Sequence, residues 1–217
     1  MKISKFLHSC VLIEDNGKGL LIDPGTFSFI ENRITPDIFK NINVVVFTHA
    51  HSDHFDKRIL EAIIKNNVEV KIVSNSDVLN LIKGFANTIL LEDRKQNVEG
   101  FEIEGFFAEH EDVGYPCPKN TAYIINGLIL HPGDSLKPII LEHKTKILAV
   151  PVAGPWLTRV YAMNFVGQFK PGIIFPIHDA YIKDFFIEFD YGAWQNAVTK
   201  QGIDFKALKE PGESFEI

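Results

Sequence analysis

A chain of 217 residues with 46% hydrophobic and 23% charged side chains has the balance of a folded protein rather than a disordered polar one, and is long enough to bury a substantial core as one domain spanning 1–217. A formal net charge of −6, with no Lys/Arg-rich run, argues against general nucleic-acid binding. No stretch reaches the roughly 18 apolar residues of a membrane span, the N-terminus lacks a signal peptide's apolar core and cleavage site, and Cys10 and Cys117 are too few for a disulfide framework, so a cytoplasmic location is expected.

The opening KISKFLHSCVLIEDNGKGLLIDPG alternates apolar and polar residues around Asn16-Gly17 and predicts two antiparallel strands ending at Asp23-Pro24-Gly25. NVVVFT (43–48) is β-branched and aromatic without alternation, the pattern of a strand buried on both faces. In KRILEAIIKNN (57–67) the spacing of Ile59, Leu60, Ile63 and Ile64 predicts a helix. Between these two elements lies THAHSDHFD (48–56), a strand-to-helix loop with His49, His51, Asp53 and His54 inside six positions and Asp56 placed to cap the helix.

Further strands are predicted at 68–74, 88–91 and 101–110, within 121–135 and 144–154, at 171–179 and near the C-terminus. Helices are predicted at 76–85, with Ser76 as its cap, and at 159–169. The aromatic stretch DFFIEFDYGAW (184–194) reads as core or subunit contact rather than a substrate platform, which leaves room for a homo-oligomer. Strands that come both as hairpins and as strand-helix units predict sheets covered by helices.

Three histidines and one aspartate at those fixed places arise by chance in about one such chain in a thousand or fewer, so the loop is a metal-site signal rather than a solvated polar loop. Residues i and i+2 of an extended segment share a face, so His49 and His51 can grip one ion. Where the chain turns toward the helix, Asp53 and His54 can reach a second ion or orient water on the first. A catalytic metal needs about three protein ligands and an open position, so partners must come from elsewhere. His110, Asp134 and His178 each follow a predicted strand, as the cluster does. Taken singly, each has another reading: a surface histidine, a turn aspartate and a helix-start histidine. Imidazoles suit zinc, and the carboxylates widen the choice to manganese or iron.

The order HxHxDH, then His110, Asp134 and His178, resembles the metallo-β-lactamase superfamily of hydrolases, over nearly the whole chain from HSCVLIE and LLIDPG to PIHD. The resemblance implies an α+β, αββα four-layer sandwich with two divalent metal ions at the edge where the sheets open. It places His49, His51 and His110 on the first ion, Asp53, His54 and His178 on the second, Asp134 between them, and Asp23 as a buried support of the ligand loop. FD after DH, and LHSCVLIE with Leu7 where the pattern has glycine, resemble the branch containing ascorbate-6-phosphate lactonase and the N-acyl phosphatidylethanolamine phospholipases. True β-lactamases place a cysteine among the second-ion ligands, and neither Cys10 nor Cys117 falls there; the nuclease branch carries an extra domain that this length does not hold.

The expected activity is hydrolysis of an ester, lactone or phosphodiester of a small-molecule substrate, with a hydroxide on the two ions as nucleophile and Asp53 orienting it. Two rivals are a non-catalytic metal-binding or sensing module on the same fold and a di-iron redox protein, the latter weakened because no flavodoxin-like partner domain fits. Tyr115, Trp156, Arg159 and Tyr181 are candidates for substrate contact, against a plainer reading as surface or packing residues. His131 and His143 are expected to have no metal role. His8 stays open between lining the site and simple packing.

Overall fold

The computed structural model describes residues 1–217 and contains two seven-stranded mixed sheets. The first is built from β1 (Lys2–Lys5), β2 (Val11–Asp15), β3 (Lys18–Ile22), β4 (Ile42–Phe47), β5 (Lys71–Ser74) and β6 (Thr88–Leu90). The second runs through β7 (Arg94–Val98), β8 (Phe101–Phe107), β9 (Thr121–Ile125), β10 (Ile129–His131), β11 (Ile147–Pro151), β12 (Ile173–Ile177) and β13 (Asp204–Phe205). The chain then returns as β14 (Glu213–Glu216) to pair antiparallel with β1.

Each sheet follows the same plan. Antiparallel pairs come first, β1-β2-β3 in one sheet and β7-β8-β9-β10 in the other. Parallel pairs follow, β3 to β6 and β10 to β13. Parallel neighbours cannot be joined by a tight turn. Four of their crossovers carry the α-helices: α1 (Lys57–Asn66) and α2 (Ser76–Leu81) in the first sheet, α3 (Arg159–Phe169) and α4 (Asp184–Thr199) in the second.

Side-chain alternation sets the layers. In β4, Val44 and Val46 join the core between the sheets, whereas Val45 and Phe47 join a second core with Leu60 and Ile63 of α1. In β11, Ile147 and Ala149 face the central core, and Leu148 and Val150 pack with Phe165 and Val166 of α3 and Trp194 of α4. Successive strand residues point to opposite faces, so an unbroken apolar run requires two covering layers, and both are present. The order is helix, sheet, sheet, helix, as expected. No helix is long and apolar enough to cross a membrane.

Several local expectations need correcting. The opening holds three strands rather than two, because the alternation breaks at residues 6–10, where His8 takes a left-handed φ of 60°. Ser76 does not cap α2: Asn75 does, its side chain accepting from the Val78 amide, and the helix ends at Leu81 rather than 85. Asp56 caps α1 as anticipated, accepting from the amides of Arg58 and Ile59. The aromatic stretch 184–194 is the start of α4 and is split: Tyr191 and Trp194 are buried, while Phe185 is 86% exposed and Phe189 lies beside it.

Candidate metal centre

The loops after β1, β3, β4, β8, β10 and β12 meet at one edge of the sandwich and supply His8, Asp23, the 49–54 cluster, His110, Asp134 and His178. Two glycines permit the approach. A Cβ on Gly25 would sit 2.1 Å from the Asp53 carbonyl oxygen, and one on Gly133, at φ +60°, 2.1 Å from Asn120 Oδ1.

Side-chain donors fall into two groups, each with its ligand-type atoms within 4.8 Å of one another: His49, His51, His110 and Asp134, and His8, Asp53, His54 and His178. Asp134 joins them. Its Oδ2 is 3.0 Å from His178 Nε2 and 3.5 Å from His110 Nε2, and its Oδ1 is 3.1 Å from His54 Nε2. All seven residues singled out in the sequence are brought together, and His8 joins them.

Hydrogen bonds at the far side of each ring settle which nitrogen faces inward. His54 Nδ1 donates to Asp23 Oδ2 (2.8 Å), His110 Nδ1 to the Glu111 carbonyl (2.6 Å) and His178 Nδ1 to the Ala153 carbonyl (2.6 Å). Asp23 also accepts from the Thr48 amide at Oδ1 and the Thr48 hydroxyl at Oδ2, so that hydroxyl can in turn accept from His49 Nδ1 at 2.9 Å. Four rings are thereby held with Nε2 turned to the centre. His51 differs, presenting Nδ1 at 3.1 Å from His110 Nε2.

The interior is fitted for cations. His49 Nε2 is buried without any partner, and His54 Nε2 and Asp134 Oδ1, equally buried, have only each other at 3.1 Å. A buried polar atom left unpaired is costly, and its convergence with a buried imidazole–carboxylate pair is the chemistry of a ligand set. Electrostatics agree. Burial, with the charge of His54 beside it, holds His49 well below the usual imidazole range, and burial with His110 lowers His51. Burial would raise Asp134, but the imidazoles of His178 and His54 outweigh it and keep the carboxyl well below its usual value. Burial likewise opposes charge on His54, yet Asp134 and Asp23 together raise it well above the ordinary value.

Two buried acids directly following ligand-type histidines brace the loops. Asp179 Oδ2 accepts from Lys5 Nζ (2.5 Å) and the Tyr191 hydroxyl (2.6 Å), and its Oδ1 from the His8 amide (3.0 Å). Glu111 Oε1 accepts from the Leu136 amide (3.0 Å) and the Tyr161 hydroxyl (3.1 Å), while Oε2 pairs with Lys137 (3.1 Å). Sequence reading missed both roles; the cue was the repeated His-acid pair in AEHED and PIHD.

The opening above the donors is a cleft of about 220 Å³ walled by Phe27, Val113, Tyr115, Pro155, Trp156 and Tyr181, with Ser52 and the donor residues at its base. Asp53, 15% exposed, is among the donors that reach it. No Lys or Arg lines it. Three of the four proposed contact residues are therefore present, and Arg159 is not: its guanidinium pairs with Asp190 on α4. His131 and His143 lie apart from the donors. His131 bonds the Ser9 carbonyl, and His143 stacks on Phe106.

Residues 2–178 match the Beta-lactamase superfamily domain. Among curated proteins, Protein Rv0786c of Mycobacterium tuberculosis is 25% identical over 217 residues, covering 97% of each chain. A UPF0173 metal-dependent hydrolase of Nanoarchaeum equitans is 26% identical over 195 residues, covering 82% of this chain and 83% of its own. Among solved structures, Igni18, a metallo hydrolase from the archaeon Ignicoccus hospitalis, superposes with a TM-score of 0.72 at 23% identity, covering 100% of this chain and 98% of its own.

Proposed function

Because the superfamily match spans most of its length, this chain belongs to the beta-lactamase superfamily of metallo-β-lactamase-fold proteins, and we propose that it is a hydrolase that holds two divalent ions and cleaves a small neutral ester or lactone. Metal-dependent hydrolases among its relatives support the reaction class. The observation that carries the two-ion reading is the pair of donor groups joined by Asp134, with the buried, unpartnered Nε2 of His49 turned inward.

His49, His51 and His110 would hold the first ion, Asp53, His54 and His178 the second, and Asp134 would lie between them. The donor set suits zinc, with manganese or iron as neighbours in ligand preference. When bound, such ions would lower the pKa of a bound water towards neutrality and polarise a carbonyl oxygen. The protein's own part is threefold. Asp23, Thr48, Glu111 and Ala153 fix ring orientation; Asp53, at the cleft floor, can accept and return a proton during attack and leaving-group departure; and the aromatic walls exclude water around the reacting bond.

The same walls narrow the substrate. An ester, lactone or phosphodiester is expected from the sequence, but a phosphate remote from the ions would find no cationic partner in the cleft. Of the lactonase-like branch, ring-opening of a lactone is therefore the part adopted here, without its phosphate. The test is turnover by zinc- and manganese-loaded protein of neutral aryl esters and γ-lactones beside bis(4-nitrophenyl) phosphate and a phosphorylated lactone. Neutral substrates are expected to lead in kcat/KM by at least tenfold. Bound metal with no turnover of any of them would favour a binding or sensing module, and preference for the phosphorylated lactone would refute the substrate class.

A further inference from the structure

His8 is wholly buried, so it cannot touch substrate, yet it sits among the second group of donors with Nε2 3.1 Å from Asp53 Oδ2. Its backbone is left-handed at φ 60°, and so is that of His178 at 64°. A non-glycine residue there is strained and persists only where its surroundings hold it. Here they do. The His178 amide donates to the His8 carbonyl (3.1 Å), and the His8 amide donates to Asp179 Oδ1 (3.0 Å), whose other oxygen is held by Lys5 and Tyr191. The loop after β1 is thus clipped on both sides to the segment carrying the last histidine of the site.

We propose that His8 is a positioning residue for Asp53: its Nε2–H donates to the carboxylate and fixes the one partly exposed donor of the second ion. The tautomer follows from elimination. His8 Nδ1 is buried without a partner. With the proton on Nε2, only a lone pair is left unpaired. With the proton on Nδ1, an N–H would be buried unpaired while the Nε2 lone pair faced a carboxylate oxygen, which is repulsive. Outer partners of this kind tune metal affinity through the ligand they hold.

The proposal rests on the two-ion reading, and its test separates the two. His8→Asn tolerates the left-handed backbone but is too short to reach Asp53, whereas His8→Gln extends an N–H to about the position of Nε2. In calorimetric titration of chelator-stripped protein with zinc, His8→Asn is expected to weaken the second equivalent about 10–100-fold, leave the first unchanged and lower kcat more than it raises KM. His8→Gln is expected to recover the second equivalent to within about threefold. Wild-type affinity in His8→Asn, or a second equivalent as weak in His8→Gln as in His8→Asn, would overturn the proposal; the latter would make His8 a ligand itself. Long-range ¹⁵N–¹H coupling in the metal-free protein gives the tautomer whatever the number of ions: Nε2–H supports the proposal and Nδ1–H overturns it. A wild-type protein that takes up one ion but shows Nε2–H would refute the two-ion reading and leave the His8–Asp53 contact standing.

Discussion

Asp179 and Glu111 do the same job on opposite sides of the centre, under different solvent exposure. Each follows a ligand-type histidine, pairs with a lysine, accepts a tyrosine hydroxyl from the helix outside its sheet and takes one backbone amide. Beside His178 the lysine and acid are sealed, with Lys5 and Asp179 side chains 1% and 3% exposed. Beside His110, Lys137 is 29% exposed and Tyr161 39%. Chemistry that is nearly identical should therefore differ in energetic weight, because a charge left alone in the interior is far costlier than one that can reach water.

The largest contrast is expected on deleting the acids. Asp179→Ala strands the Lys5 ammonium and should cost about 3–5 kcal/mol, whereas Glu111→Ala frees Lys137 to solvent and chiefly orphans the Leu136 amide, at about 1–3 kcal/mol. Urea unfolding midpoints measure both, and equal losses would break the comparison. Gly25→Ala is a backbone probe of the second-ion side alone, since its Cβ would press on the Asp53 carbonyl. It should cost about 1–3 kcal/mol of stability and abolish the second metal equivalent while the first survives. Metal analysis showing both equivalents retained would contradict that.

Removing the hydroxyls is milder. Tyr191→Phe gives up a hydrogen bond to a buried carboxylate, about 1.5–3 kcal/mol, and Tyr161→Phe about 0.5–1.5 kcal/mol at its half-exposed site. The last contrast concerns a proton. With its value raised well above the usual one, His54 should remain imidazolium at pH 7 in metal-free protein, while His49, held low by burial, should be neutral. A raised folded-state value means that His54 adds stability below its unfolded pKa of roughly 6.5, and that this is lost as pH rises through the folded value. Ring ¹⁵N shifts would decide it, and a neutral His54 would refute the assignment.

The seven residues that converge at the candidate centre were legible in the sequence because strand ends and HxHxDH are local patterns. Layering was legible too, since NVVVFT could be satisfied only between two covers. The braces were not. Lys5 lies 174 residues from Asp179, so no periodicity links them. Arg159 was a candidate as an arginine at a helix start near the proposed ligands in sequence, but its guanidinium pairs with Asp190 on α4 instead. His8 was undecidable locally, because its role depends on φ 60° and on an amide contact with a residue near the other end of the chain. The reading of 184–194 as core or subunit contact lacked only the division of roles, since helical spacing in α4 buries Tyr191 and Trp194 and leaves Phe185 and Phe189 in solvent.

The central claim, two ions held by seven side chains, is tested most directly by counting zinc in chelator-stripped, reconstituted protein. Two equivalents are predicted for wild type, one each for His51→Ala and His178→Ala, and at most one for Asp134→Ala. A single equivalent in wild type, or two retained in His178→Ala, would contradict it.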